Sequence, residues 1–212
     1  MDLGAGTGMV AGHLISYFGE VIAVEPDAGM AAKIAELFPR VTVRNVTAEE
    51  CAQTPESVDL ITIANALHWM EAERVFANAR SWLRPRAVLA VFDRPLPKTT
   101  AAVDAIALGE FRDPWKPHRD ERLGKKYVWQ DQARAAAGFK LVEETKFSYV
   151  IRMSPADFAG FWRSTSYGSA YGLTLSDPES YWRNLESRFA EAAGNEPIAV
   201  DLSPTLILAR KV

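Results

Sequence analysis

Three glycines at alternate positions near the start of the chain could hold a nucleotide-like ligand. Gly4, Gly6 and Gly8 follow a short apolar stretch and precede residues 9–18, where apolar side chains recur on one side of a helix. Glycine adopts backbone angles that other residues resist, and it lets a ligand approach the main chain closely. The pattern predicts a strand, a tight turn and a helix, with the ligand at the turn.

An acid just before these glycines favours one class of ligand. The dinucleotide fingerprint G-x-G-x-x-G places a pyrophosphate at the helix start. Counted from Gly4, its third glycine falls on Met9, and counted from Gly6 it falls on Ala11, a loose match. The carboxylate of Asp2 would repel a pyrophosphate but suits the ammonium and sulfonium of S-adenosylmethionine (SAM). An NAD(P)-dependent oxidoreductase and a glycine turn without ligand remain as alternatives.

A second acid stands where a ribose would be bound. Glu25 follows the apolar strand 21–24, and Asp27 after it is a suitable N-cap for the next helix. Glu25 follows the glycine turn at close to the ~20-residue separation at which an acid meets the ribose hydroxyls. A carboxylate can accept from both hydroxyls at once. A solvated acid at the end of a strand is the alternative.

Strands and helices alternate along the first half of the chain. Apolar segments typical of buried strands recur at 41–46, 60–64 and 87–92, and the clearest amphipathic helix covers 72–83 and is closed by Pro85. This alternation predicts a parallel sheet with ligands at the carboxyl ends of its strands. The candidate stretches at such ends are Gly4 to Gly8, Glu25, 47–49 and 65–69.

The second half departs from this alternation after Asp93. A long loop at 112–127 could cover the ligand end of the sheet. Alternation of apolar and polar residues over 141–153 predicts one strand. The final strand, 199–209, contains Pro204, so we expect it near an edge of the sheet or bent at the proline.

Length and composition limit the kind of protein. With 212 residues and 23.4 kDa, we predict one domain, comprising a cofactor-binding half (1–93) and an acceptor-side half with cap-like insertions (94–212). The net charge of −3 indicates no nucleic-acid partner. One cysteine and three histidines indicate neither an internal disulfide nor a dedicated metal site. The absence of a long apolar run predicts a cytoplasmic protein without a membrane partner, whereas the oligomeric state is not indicated.

The motifs together resemble the class I SAM-dependent methyltransferases. The chain is most similar to the type 11 small-molecule enzymes that include trans-aconitate methyltransferase-like proteins. The stretches that carry the resemblance are 2–8, 24–30, 47–49, 58–60 and 64–69. The resemblance implies an α/β, doubly wound, mostly parallel seven-stranded sheet of the Rossmann-like class I methyltransferase fold, with the last strand antiparallel.

The resemblance also implies roles for individual residues. SAM would be the methyl donor and S-adenosyl-L-homocysteine (SAH) the product. The glycine turn would lie against the methionine part of SAM, Glu25 would bind the ribose, and Asn65 to His68 would pass beneath the sulfonium. The implied cofactor-binding residues are Asp2, Gly4, Ala5, Gly6, Glu25, Pro26, Met30, Ala48, Glu49, Asn65 and Ala66.

The acceptor would be a small molecule methylated on oxygen, nitrogen or carbon. A general base is needed only if the acceptor must lose a proton, and His68 is the candidate because it follows the carboxyl end of a strand. Trp69, Trp115 and Tyr167 could line the acceptor pocket. Packing in the core is the alternative for His68, Trp69 and Tyr167, and a place on a surface loop is the alternative for Trp115.

The chain departs from the family pattern in two places. The proline-glycine-glycine turn before the fifth strand appears as Pro85-Arg86-Ala87, which predicts an altered turn. Family members carry helices before the glycine strand, whereas this chain starts inside that strand, so we expect an N-terminally shortened form. A non-catalytic or incomplete SAM-binding homologue, needing a partner or the missing helices, is therefore an alternative.

Overall fold

The computed structural model of the protein describes residues 1–123 and 128–212. Its main feature is a seven-stranded mixed sheet. Its strands are β1 (Asp2–Leu3), β2 (Val21–Val24), β3 (Val41–Arg44), β4 (Val58–Ala64), β5 (Leu83–Asp93), β6 (Phe139–Lys146) and β9 (Thr205–Lys211). The strand order is β3-β2-β1-β4-β5-β9-β6. The first five strands run parallel, while β9 is antiparallel to both β5 and β6. The predicted fold class is confirmed.

Helices cover both faces of this sheet, so its central strands are buried on both sides. Alternate residues of β2 enter different clusters: Val21 and Ala23 pack with Ala11 and Ile34 on one face, and Ile22 packs in the larger cluster on the other. The helices of this unit are α1 (Met9–Leu14), α2 (Ala28–Leu37), α3 (Ala72–Trp82) and α5 (Trp129–Arg134). The sheet is therefore doubly wound, and the carboxyl ends of β1, β2 and β4 meet at one edge.

Two compact units divide the chain. The first contains residues 1–94, 122–147 and 204–212, and the second contains residues 95–121 and 148–203. The second unit holds α4 (Ala101–Arg112), β7 (Val150–Met153), α6 (Pro155–Arg163), α7 (Ser166–Gly172), α8 (Pro178–Ala192) and β8 (Ile198–Asp201). The single domain with halves 1–93 and 94–212 stays a prediction; the first boundary is nearly shared, but the sheet regains 122–147 and 204–212.

An aromatic core fills the second unit. The buried rings of Trp115, Phe158, Trp162, Trp182 and Phe189 pack against one another. Three polar groups form a chain of hydrogen bonds in this core. The Tyr181 hydroxyl donates to the Glu110 carboxylate at 2.7 Å, and the Trp115 indole N–H donates to the Tyr181 hydroxyl oxygen at 3.0 Å. Burial raises the Tyr181 pKa well above its usual range. The Glu110, Tyr181 and Trp115 groups are thus paired with each other, whereas Trp162 Nε1 has no hydrogen-bond partner within residues 1–123 and 128–212.

Three elements differ from the sequence predictions. The single strand predicted over 141–153 is two strands, β6 and β7, in different sheets, and β7 pairs with β8. Pro204 separates β8 from β9, and β9 lies inside the sheet with β6 at its edge. The helix α3 ends at Trp82, so that Pro85 falls within β5.

The altered turn at Pro85-Arg86-Ala87 has a backbone signature. Arg86 adopts φ +67°, a left-handed value that glycine accepts more readily than arginine. The first part of the predicted loop 112–127 forms a 3₁₀ turn at Lys116–His118, while residues 124–127 lie outside the described residues. No helix in the described ranges is long and apolar enough to cross a membrane.

Candidate functional site

The glycine turn is shaped by its contact with the loop after β4. Gly4, Gly6 and Gly8 have φ of +66°, +58° and +85°, all in the left-handed region. A Cβ on Gly4 would lie 2.6 Å from Ala66 Cβ, whereas a Cβ on Gly6 would have no atom within 4 Å. Gly4 is therefore required by packing within the protein, and Gly6 leaves open space that a ligand can enter.

Glu25 is held against this open part of the turn. Its side chain is only 6% exposed, and its two oxygens each accept one backbone hydrogen bond, from Gly6 N–H at 2.7 Å and from Asp27 N–H at 3.0 Å. A carboxylate oxygen has a second lone pair, so each can still accept from a ribose hydroxyl. The structure thus brings together the two motifs that the sequence placed about twenty residues apart.

Two backbone carbonyls next to Glu25 are fixed by Asn45. The Asn45 side-chain amide donates to Glu25 O at 2.8 Å and to Pro26 O at 2.9 Å. Asp27 then caps α2 by accepting the Met30 N–H at 2.8 Å. Pro26 and Met30 are both exposed, Met30 to 45%. Pro26 and Met30 therefore present apolar surface beside the Glu25 carboxylate, against which the flat ring of a nucleotide base could pack.

The stretch at 47–49 is fixed from α3. Asn78 donates to the carbonyls of Ala48 and Glu49 at 3.3 and 3.1 Å, and Ala48 is buried. The Glu49 carboxylate accepts the Glu71 N–H at 2.7 Å, just before α3 begins. Glu49 therefore has a structural contact in addition to its predicted place beside adenine.

Asn65 turns the chain sharply at the end of β4. Its φ is +51°, uncommon for a residue other than glycine and frequent at functional sites. Its N–H donates to Phe92 O at 2.8 Å, and its Oδ1 accepts the Arg94 N–H at 3.0 Å. These contacts with the end of β5 place Ala66 directly under Gly4.

Asp2 is a buried acid with one unused oxygen. It is 1% exposed, and Oδ1 accepts the Thr62 hydroxyl at 2.7 Å. Oδ2 accepts no hydrogen bond from residues 1–123 or 128–212. Burial raises the Asp2 pKa to about 6, although the Thr62 hydrogen bond, the Met1 ammonium and the nearby Ala11 N–H, which does not reach hydrogen-bond geometry with Oδ2, lower it. A buried oxygen without a donor is costly, so it suits a ligand that brings a cationic donor.

His68 is buried next to a second acid that sequence reasoning missed. His68 is 4% exposed, and its Nδ1 lies 3.5 Å from Asp93 Oδ2. Asp93 is the last residue of β5 and is also 4% exposed. A signal was present in the sequence, because Asp93 follows an apolar strand that neighbours the one before His68.

The three aromatic residues predicted to line an acceptor pocket lie in different surroundings. Trp69 is partly exposed in the first unit, and the Arg122 guanidinium lies 5.0 Å from the centre of its ring. Trp115 and Tyr167 belong to the aromatic core of the second unit, where Trp115 is 0% exposed. Their contact with an acceptor stays a prediction, and core packing accounts for their burial.

A cavity of about 180 Å³ occupies the other edge of the sheet. Its lining residues include Met1, Glu20, Val21, Val58 and Arg84, which lie at or near the amino ends of the strands. This cavity is therefore separate from the glycine turn. Within the ranges that the structure describes, no three His, Cys, Asp or Glu side chains form a group that could hold a metal ion.

Comparison with known proteins matches this arrangement. A family model described as a methyltransferase domain matches residues 1–86. A Dictyostelium discoideum protein described as a methyltransferase is 29% identical over 178 residues, covering 81% of this chain and 65% of its own length. A Saccharomyces cerevisiae protein described as an S-adenosylmethionine-dependent methyltransferase is 36% identical over 92 residues, covering 40% of this chain and 31% of its own length. The chain thus spans less than two thirds of either relative.

A solved structure extends the similarity over the whole fold. A protein from Anaeromyxobacter dehalogenans, described as a type II methyltransferase, superposes with a TM-score of 0.76 at 25% sequence identity. The superposition covers 99% of this chain and 88% of that one. Every residue of the predicted cofactor site lies within the segment 1–86 that the family model matches.

Proposed function

We propose that this chain, which belongs to the family of SAM-dependent methyltransferases, binds SAM at the carboxyl ends of β1, β2 and β4 and transfers its methyl group to a small-molecule acceptor. The observation that carries the proposal is the buried Glu25 carboxylate beside the open Gly6. It offers two oxygens to vicinal hydroxyls at the point where the main chain can be approached most closely. The cytoplasmic location and the trans-aconitate-like subtype belong to this proposal as its finer parts.

The donor groups of the site fit SAM. The unused Oδ2 of Asp2 suits the ammonium of the methionine part, and the open backbone at Gly6 leaves room for that chain. Glu25 would hold the ribose, while Pro26 and Met30 would cover the base with their exposed apolar surfaces. The other residues that would contact the ligand are Gly4, Ala5, Ala48, Glu49, Asn65 and Ala66.

SAM, when bound, supplies an electrophilic methyl carbon on a sulfonium cation. The protein would contribute position and charge. The hydrogen bonds from Asn45 to Pro26 O and from Asn78 to Ala48 O would hold these two loops in position before the ligand binds. The buried side chains of Leu67 and His68 would exclude water from the segment beneath the sulfonium.

Calorimetric titration with SAM, SAH and NADH tests the assignment. We expect Glu25→Ala to weaken SAM and SAH binding by about 1.5 to 3 kcal/mol, roughly tenfold to a hundredfold, because it removes charged hydrogen bonds. Glu20→Ala is the matched control, since Glu20 is an exposed acid at the opposite end of the same strand. An unchanged affinity for SAM in Glu25→Ala would overturn the ribose assignment.

The same titration separates the other functions. Binding of NADH by the wild-type chain without SAM binding would support an oxidoreductase instead. Binding of neither ligand would support an incomplete homologue that needs further sequence or a partner chain, and the catalytic proposal would fail for this chain.

A further inference from the structure

We propose that Asp93 is a positioning residue for His68, and that the pair adapts this site to acceptors that must lose a proton, namely hydroxyl or thiol compounds. This inference rests on the proposed methyltransferase function. It adds a residue outside the segment 1–86 that the family model matches, and it names the acceptor class. It departs from the trans-aconitate-like subtype, because a carboxylate acceptor has no proton to lose and needs no general base.

The sheet register brings the two side chains together. Ala64, the last residue of β4, pairs with Phe92 of β5, and Asp93 follows Phe92 as the last residue of β5. Asn65 ties the two strand ends by its hydrogen bonds to the backbone of Phe92 and Arg94. His68 lies in the 3₁₀ turn that begins two residues later, at Leu67–Trp69. His68 therefore follows the end of β4 by four residues, and Asp93 ends the adjacent strand β5.

Burial gives this contact its importance. The side chains of His68 and Asp93 are 5% and 3% exposed, and Nδ1 lies 3.5 Å from Oδ2. Trp69 packs against the His68 ring with their centres 4.9 Å apart. A charged pair shielded from water interacts much more strongly than one on the surface. His68 Nδ1 has no hydrogen-bond partner within residues 1–123 and 128–212, so the contact with Asp93 is not a formed hydrogen bond in this structure. Hydrogen bonds of catalytic groups are often long or poorly aligned in ligand-free sites and tighten when ligand binds.

An aspartate on Nδ1 fixes the role of the other nitrogen. When Nδ1–H faces Asp93, Nε2 carries the lone pair and can accept a proton. For a hydroxyl acceptor, the oxygen lone pair forms the bond to the methyl carbon, and the carbon–sulfur bond breaks with its electron pair left on sulfur. The hydroxyl proton passes to His68 Nε2, and Asp93 stabilises the resulting imidazolium.

His68 belongs to the loop after β4 that contacts the glycine turn. Ala66, two residues before His68, is the residue that a Cβ on Gly4 would strike. Within the first unit, the other histidine is His13, which is exposed on α1. His68 is therefore the histidine of that unit that follows the carboxyl end of a strand.

Nuclear magnetic resonance of ¹⁵N-histidine-labelled protein tests the pair without any acceptor. In the wild-type protein, we expect the neutral imidazole of His68 to carry its proton on Nδ1, with and without SAH. In Asp93→Asn, we expect the populations of the two His68 tautomers to change. His13 and His118 are internal references, and Asp59→Asn, an exposed acid at the start of β4, is the matched control. A proton on Nε2 in the wild type would overturn the proposal, even if Asp93→Asn failed to fold.

Methylation rates along a series of phenols test the acceptor class. We expect Asp93→Asn and His68→Gln to lower kcat about 100-fold for phenols with pKa near 10, and less than about 10-fold for phenols already ionised at the assay pH. KM for SAM should change less than about twofold. An equal loss across the series would indicate a purely structural role and overturn the proposal. SAH binding, measured on the same samples, shows separately whether the proposed function itself has failed.

Discussion

Asp2 carries an energetic cost that a cationic ligand would relieve. Its pKa in the folded protein is about 6, against an ordinary value of 3.8, because burial disfavours the charged form. The folded state therefore holds this proton more tightly than the unfolded state does. As the pH rises from about 4 to about 6, the unfolded state releases the proton first, and the free energy of unfolding falls. Above that range, Asp2 is a buried charge whose Oδ2 accepts no hydrogen bond from the residues that the structure describes.

Replacing Asp2 by asparagine should stabilise the ligand-free protein while weakening ligand binding. At pH 7.5 we expect Asp2→Asn to raise the free energy of unfolding by about 3 kcal/mol, and at pH 4.5 by only about 1 kcal/mol, as linkage requires. Denaturant unfolding at the two pH values measures both. Asp113→Asn, at an exposed position, is the control and should show no such difference. An equal gain at both pH values would mean that burial of the charge is not the cause.

The affinity for SAM should depend on the same proton. Below about pH 6, Asp2 becomes neutral and loses its attraction for the ligand ammonium, so the Kd for SAM should rise as the pH falls from 7.5 to 5. We expect a weakening of about tenfold over this range, and a much flatter profile in Asp2→Asn. Calorimetry across the pH series is the measurement. A wild-type profile as flat as that of the variant would remove Asp2 from the ammonium site.

At the level of elements, the glycine turn and the loop after β4 must be small where they meet. Gly4→Ala would place a Cβ 2.6 Å from Ala66 Cβ and 2.8 Å from Met70 Cε, at a φ of +66°. We expect a loss of about 2 to 4 kcal/mol in the free energy of unfolding, from overpacking and left-handed strain together.

Gly6→Ala is the matched variant for this experiment. Gly6 has a similar φ of +58° but no neighbouring atom within 4 Å of its Cβ, so only the backbone strain of about 1 kcal/mol should remain. Its effect should fall on SAM binding, because the new methyl group would occupy ligand space. Equal destabilisation by the two substitutions would show that the contact with Ala66 is not what requires Gly4.

The sequence predicted the elements best where local pattern and position in the fold agree. β2 and β4 are apolar strands that end in polar residues, and both were located together with the acid or turn that follows them. The run 141–153 was mistaken for one strand because its alternation continues through a change of sheet. Phe147 N–H donates to Pro204 O, and Leu202 N–H donates to Tyr149 O, so distant residues divide the run.

The supports of the site were beyond sequence reasoning. Asn45 and Asn78 fix backbone carbonyls near Glu25 and Ala48 across about twenty and thirty positions of sequence. Neither asparagine stands at a patterned position, and only the folded chain brings them to their acceptors. The sequence does not indicate Asp93 for a related reason, because its contact with His68 depends on the register between β4 and β5.

At the scale of the molecule, all candidate cofactor residues lie in the first compact unit. They come from residues 2–66, at the carboxyl edge of the sheet. The cavity of about 180 Å³ lies in the same unit at the amino edge. The sheet therefore offers its own comparison, because a ligand bound at one edge should leave the loops at the other edge unchanged.

Hydrogen exchange with and without SAH makes this comparison residue by residue. SAH at 100 times its Kd should raise the free energy of any local opening that releases the ligand by up to about 2.7 kcal/mol. Amide exchange through such openings would then slow by up to roughly a hundredfold. We expect the slowing in residues 4–8, 25–30, 47–50 and 65–69, and little change in residues 53–57 beside the cavity. Glu25→Ala, titrated to the same saturation, should recover the same pattern at higher SAH concentration. Protection confined to 53–57 and 18–22 would instead place the ligand in the cavity, and the carboxyl-edge site would have to be abandoned.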